Sequence, residues 1–147
     1  MPPEFVKVML ADLRNECTHL QFYLYHAAAV RGLHRVEYQE FFDEAARSEM
    51  KHVRQFLDRL FGLNVLLSPH QISLEAHDFP QMTDAHNILR HACSLETQVI
   101  DNYALRLQQL ESLSATNPVE AAYLTVFYEN QLQDSYEDRD NMRQMLA

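Results

Sequence analysis

The chain has 147 residues and only two glycines, Gly32 and Gly62, so it has very few places to turn. Four of its five prolines fall outside the periodic segments, and the fifth, Pro118, stands where a helix would begin. Glycine and proline are the main interrupters of helix, while the abundant Leu, Ala, Glu, Gln and Arg favour it. Such a chain is expected to be all-α, built from a few long helices. Its length suits one domain over residues 1–147 with a full core. No internal repeat, linker or low-complexity tract divides it.

The first helix is expected from about Glu4 to Val30, with an apolar stripe of Met9, Leu13, Leu20, Leu24 and Ala27. At about 100° per residue, Glu16 falls near the centre of that stripe, and Tyr23 falls above it two turns later. Arg31-Gly32-Leu33-His34 reads as a turn, and a second helix follows from about Val36 to Phe61. Its buried face carries Tyr38, Phe42, Ala45, Phe56 and Leu60 at helical spacing. Glu49 and His52 lie three residues apart on that same face, so a carboxylate and an imidazole point into an apolar interior. So short a connection makes the two helices antiparallel neighbours. Glu16 and Glu49 are nearly equidistant from the turn and should meet at one height.

From about Gly62 to Asp84 the periodicity disappears, and Pro69 and Pro80 punctuate the segment. A stretch this long without a helix is unusual. Extended, it spans the length of a helix and is expected to be a crossover that makes helices two and three parallel. Helix three is expected from Thr83 or Asp84 to about Glu111, with Ile88, Ala92, Val99, Tyr103, Leu107 and Leu110 inward and Glu96 among them. After a turn over Ser112–Asn117, Asn117-Pro118-Val119-Glu120 reads as a helix cap, the Asn side chain accepting from the first turn. Helix four then runs to the end, with Leu124, Phe127, Tyr128, Met142, Met145 and Leu146 inward. Between Phe127 and Met142 the same face turns polar, with Gln131, Asp134, Ser135 and Asp138, at the level of Glu96.

Glu16, Glu49, His52 and Glu96 thus converge from three helices, with Gln131 and Asp134 from the fourth. Buried carboxylates at one height repel unless cations lie among them. Carboxylates with an imidazole suit iron or manganese, and two metals bridged by Glu49 would use every ligand. The formal net charge of −9 excludes nucleic acid as a partner, since no basic stripe faces phosphates, and it suits attraction of cations. No apolar run of about 18 residues and no signal peptide appears, so no membrane association is expected and the protein should be cytoplasmic. Cys17 and Cys93 have no metal-type spacing and fit a reducing compartment. His19, His26, His34, His70, His77, His86 and His91 have no ligand spacing either and are expected mostly at the surface.

Glu16 with Tyr23, Glu49 with His52, Glu96 and Gln131 together resemble the ferroxidase pattern of ferritins and bacterioferritins. Ser48-Glu49-Met50-Lys51-His52-Val53, Arg59-Leu60-Phe61 and Tyr23-Leu24-Tyr25-His26-Ala27 are similar to bacterioferritin in particular. The resemblance implies a ferritin-like four-helix bundle that binds two Fe ions, oxidises Fe(II) with O2 or H2O2, and serves iron storage or detoxification. It implies Glu16 and His52 on the first iron, Glu49 bridging, Glu96 on the second, and Gln131 and Asp134 completing or adjoining that second site. Tyr23 would hydrogen-bond a ligand and donate an electron. Met50 stands where a bacterioferritin holds haem b at a two-fold dimer axis.

Two departures qualify the likeness. The family's second Glu-x-x-His, on helix four, has no counterpart here: three residues after Glu129 stands Leu132. Helical phase puts Gln131 with the apolar face and Glu129 roughly 150° from it, which favours Gln131 as the fourth-helix ligand. The sequence also ends with helix four, so a homo-oligomer built on a two-fold dimer is expected without the fifth helix of the usual cage. A di-iron or dimanganese oxidoreductase acting on peroxide or an organic substrate, and a haem-binding dimer, are the alternative readings.

Overall fold

The computed structural model describes residues 1–147 and consists of four α-helices without a β-strand. They are α1 (Pro3–Ala29), α2 (Arg35–Gly62), α3 (Ala85–Leu113) and α4 (Pro118–Leu146). Every boundary falls within about two residues of the one expected from periodicity, the ordinary uncertainty of a helix end. The chain divides into two compact units, Met1–Ala85 and His86–Ala147.

In the first unit α1 and α2 form a hairpin. Gly32 turns the chain at φ 117°, a conformation in which a side chain would be strained, and its carbonyl accepts from the Arg35 amide at 3.2 Å. Arg35 Nε also donates to the Val30 carbonyl at 3.1 Å, which satisfies a carbonyl just past the end of α1. The inner face of α2 is formed by Phe42, Ala46, Phe56 and Leu60, with Glu49 and His52 buried among them. Tyr38 and Ala45 lie half-buried at its edge.

Residues 63–84 run back along α1 in an extended path. Arg14 Nε donates to the Glu75 carbonyl at 3.2 Å, and the His77 amide donates to Thr18 Oγ1 at 2.9 Å. Further on, the Met82 amide donates to His26 Nε2 at 3.2 Å and the Arg31 amide to the Thr83 carbonyl at 2.9 Å. The contacts ascend together: twelve residues of helix from Arg14 to His26 cover about 18 Å, and seven extended residues from Glu75 to Met82 cover about 23 Å. The segment is therefore a crossover strap that delivers the chain to the end of the hairpin where α2 began. Phe79 anchors it, packing against Phe22, Tyr25 and His26 at ring separations of 5.6–5.8 Å.

This strap corrects part of the expected α1 stripe. It covers Phe22 and His26, so α1 is buried on two sides. Leu24 lies about 160° round the helix from Phe22 and is left 58% exposed rather than inward.

In the second unit α3 and α4 form another antiparallel hairpin. Ile88, Ala92, Val99, Tyr103 and Leu110 face Ala121, Leu124, Phe127, Tyr128 and Met142, and the Tyr103 and Tyr128 rings meet edge to face at 5.3 Å. Met145, expected inward, lies exposed at the final turn. The turn at 114–117 is tied by amides of Ser114 and Asn117 donating to Leu110 and Leu113 carbonyls. The expected side-chain cap by Asn117 does not form. Its Oδ1 accepts instead from the Thr116 hydroxyl at 3.1 Å, and α4 starts on the backbone bond from Ala121 to the Asn117 carbonyl. No helix is long and apolar enough to cross a membrane.

Candidate metal centre

Within the first unit the buried polar groups gather at one level. Glu16 on α1 and Glu49 and His52 on α2 are each no more than 2% exposed. His52 Nδ1 lies 3.5 Å from Glu16 Oε2 and 3.3 Å from Glu49 Oε2. Glu49 and His52 meet because three residues make nearly one turn, and Glu16 joins them because α1 and α2 are antiparallel across a short turn.

The electrostatics follow from this packing. Burial pushes the Glu16 carboxyl up, but hydrogen bonding with Glu49 and His52, and the fields of His52 and His19, outweigh it and hold the group at about 2. Burial likewise works to lower His52, yet its bonds to Glu16 and Glu49 outweigh that and raise it to about 11. Without metal the triad is thus a carboxylate cluster closed over an imidazolium. The proton satisfies an anionic site that a cation would otherwise occupy.

A fourth side chain belongs to the cluster, against the expectation that it lies at the surface. His19 is buried, and one of its ring nitrogens, one Glu16 oxygen and one Glu49 oxygen all lie within 4.8 Å of one another. Ligands on one first-row ion at about 2.1 Å stand up to about 4.2 Å apart, so these donors need only side-chain adjustment to share an ion. The mixed carboxylate and imidazole set fits iron or manganese. The signal was present in the sequence, since Glu16 and His19 are spaced as Glu49 and His52 are. His26, also expected at the surface, is fully buried for another reason. Its Nε2 accepts from Met82, so Nδ1 carries the proton it donates to the Phe22 carbonyl at 2.8 Å. Both nitrogens serve the strap. His34, His70, His77 and His86 are exposed as expected, and His91 is half-buried, its imidazole lowered by burial.

Tyr23, two turns beyond Glu16, is buried, its ring near-parallel to Phe42 at 6.5 Å and edge-on to Phe22 at 5.5 Å. Asp12, one turn before Glu16, is also buried. Cys17 is a free, buried thiol, pushed up by burial and by Glu16, and Cys93 is free and half-buried. Met50 points outward from α2 and is 61% exposed, beside Arg47, Lys51, Arg54 and Leu57.

In the second unit Glu96, Gln131 and Ser135 are buried. Arg139 ties the two helices at this level, Nη1 donating to Thr97 Oγ1 at 3.5 Å and its carbonyl accepting from Cys93 Sγ at 4.0 Å. The fourth helix distributes its polar groups by phase. Gln131 is inward, Asp138 seven residues later is half-buried, and Glu129 and Asp134 are exposed. Asp134 stands about 60° from Gln131 on the helix, and that turn carries it into solvent.

A family model described as Ferritin-like domain matches residues 7–147. A crystal structure of ferritin-like, diiron-carboxylate proteins from Bacillus anthracis superposes with a TM-score of 0.82 over 100% of both chains, at 21% identity. A dodecameric thioferritin, the bacterioferritin-related protein of Bacteroides fragilis, superposes with a TM-score of 0.63 over 97% of this chain and 88% of its own, at 23% identity. No curated protein matches the chain. These likenesses establish the fold as a ferritin-like four-helix bundle, with the strap as the crossover between α2 and α3.

Proposed function

The chain belongs to the ferritin-like domain family, and from that premise we propose that it is a ferroxidase, taking Fe(II) as substrate and oxidising it with O2 or H2O2 for storage or detoxification. The observation that carries the reading is the buried Glu16–His52–Glu49 triad. Two buried carboxylates around one imidazole form an anionic, oxygen-rich pocket that a divalent cation neutralises. Residues 1–147 act in this reading as one domain, with Glu96, Gln131 and Asp138 of α3 and α4 as further donors. Asp138 replaces Asp134 because it shares the inward phase of Gln131.

The residues divide the work. Glu16 and Glu49 would hold Fe(II), with Glu49 shared between the two ions. His52 must release its proton before its nitrogen binds, so uptake of iron expels a proton from the pocket. The bound ions supply electrons, which pass to the oxidant. The buried rings of Phe42, Phe56 and Tyr23 exclude bulk water, and Tyr23, two turns above Glu16 on α1, would serve as an electron donor and orienting group. The two free cysteines suit a reducing, cytoplasmic setting. The protein assembles as a homo-oligomer, and light scattering at micromolar concentration should give a mass above that of one chain.

The test is aerobic addition of Fe(II) to the wild type and to Glu49→Ala and His52→Ala variants, followed by Fe(III) absorbance. Rapid oxidation in the wild type and its loss in both variants, with helical circular dichroism intact, is expected. Equal rates in all three would sink the reading.

A further inference from the structure

Carboxylate-bridged pairs of metals in four-helix bundles draw a Glu-x-x-His from each of two helices and a lone Glu from each of the others. On α2 and α4 the present chain supplies only one nitrogen in that way, from His52. On α4 the residue three beyond exposed Glu129 is Leu132, and inward Gln131 offers an amide instead. One metal would then lack an imidazole.

The structure assigns the missing imidazole to His19 of α1. This inference rests on the ferroxidase reading and adds a ligand to it. Glu16-Cys17-Thr18-His19 is itself a Glu-x-x-His. Its two chemical residues are one turn apart on the buried side of α1, and a ring nitrogen of His19 shares a cluster with Glu16 and Glu49 oxygens. His52 approaches the same two carboxylates. The two imidazoles therefore serve one carboxylate pair, and both nitrogen donors come from the α1–α2 hairpin. His26, two turns further on, shows what a structural histidine on this helix looks like: both ring nitrogens bond backbone groups. His19 instead sits among the acids. Its imidazole is the second nitrogen of the two-ion site, which then holds one imidazole per ion on average.

The test counts imidazoles per metal, not turnover. Wild-type protein is loaded anaerobically with two equivalents of Co(II), and the imidazole contribution is measured by X-ray absorption fine structure. An average of one imidazole per Co(II) is expected, falling to one half in His19→Ala and in His19→Gln. Calorimetric titration of the same variants should show the second Co(II) bound at least tenfold more weakly. Two bound Co(II) with half an imidazole each in the wild type would overturn the assignment of His19 and leave the ferroxidase reading standing. A wild type that binds no Co(II) would overturn both. The wild-type measurement decides the question even if neither variant folds.

Discussion

The two helical hairpins share a topology but not a use of their interiors. The α3–α4 hairpin buries a mostly apolar face interrupted by Glu96, Arg106, Gln131 and Ser135. The α1–α2 hairpin buries Asp12, Glu16, Thr18, His19, His26, Glu49 and His52. The difference comes from the strap. Because residues 63–84 cover a second side of α1, that helix has two buried faces and room for polar groups with different tasks. Thr18 and His26 bond the strap, while Glu16 and His19 gather with Glu49. Candidate ligands therefore concentrate in the first hairpin.

Substitutions in the two halves test that division. Glu49→Ala removes a proposed bridge and should reduce Fe(II) oxidation by at least about 100-fold, beyond the usual cost of losing an outer-shell partner. Gln131→Ala, in the donor-poor half, should slow it only several-fold, measured in the same stopped-flow assay. Equal losses would erase the contrast.

The strap gives the next largest effect. His26→Ala strips the Met82 amide of its buried acceptor and should cost about 1–3 kcal/mol, seen as a lowered Tm. Iron oxidation by the remaining folded protein should be unaffected, because both ring nitrogens of His26 are engaged by backbone groups. A variant with normal Tm and lost oxidation would place His26 at the metals instead.

Metal-free protein should also reveal the triad through pH. His52 stands at about 11, above its ordinary 6.5, so its stabilising contribution is complete below pH 6.5 and drains away as the pH rises toward 11. Glu16 stands at about 2, below its ordinary 4.5, so its contribution holds above pH 4.5 and is lost as the pH falls toward 2. Melting followed in chelator should therefore show declining Tm on the alkaline side, and His52→Ala should flatten that decline. The smallest effect belongs to Glu129→Ala, which removes an exposed carboxylate and should match the wild type in rate and Tm.

Much of this was legible before any coordinates. Sparse glycine and proline mark four helices and a crossover because nothing else interrupts the periodicity. Phase alone separates Gln131 from Glu129, since a two-residue step on a helix is a large rotation. Leu24 was misplaced because one helix's periodicity does not reveal a second covering segment. His19 and His26 were assigned to solvent for the same reason: the strap that buries one flank of α1 has no periodic signature of its own. Asp134 was placed inward because it follows Gln131 at helical spacing, yet the buried sector of α4 is too narrow to include it. Asn117 failed as a cap because the Thr116 hydroxyl took its oxygen, a competition between neighbours that spacing rules do not weigh.

The central claim is that this buried cluster holds two Fe(II) and passes their electrons to an oxidant. Oxidant consumption measured during stepwise addition of Fe(II), with and without prior loading by Zn(II), tests it directly. Rapid consumption that breaks at two Fe(II) per chain and is blocked by Zn(II) is the expected result. Consumption at the slow rate of Fe(II) in buffer, unchanged by Zn(II) and without a break, would contradict it.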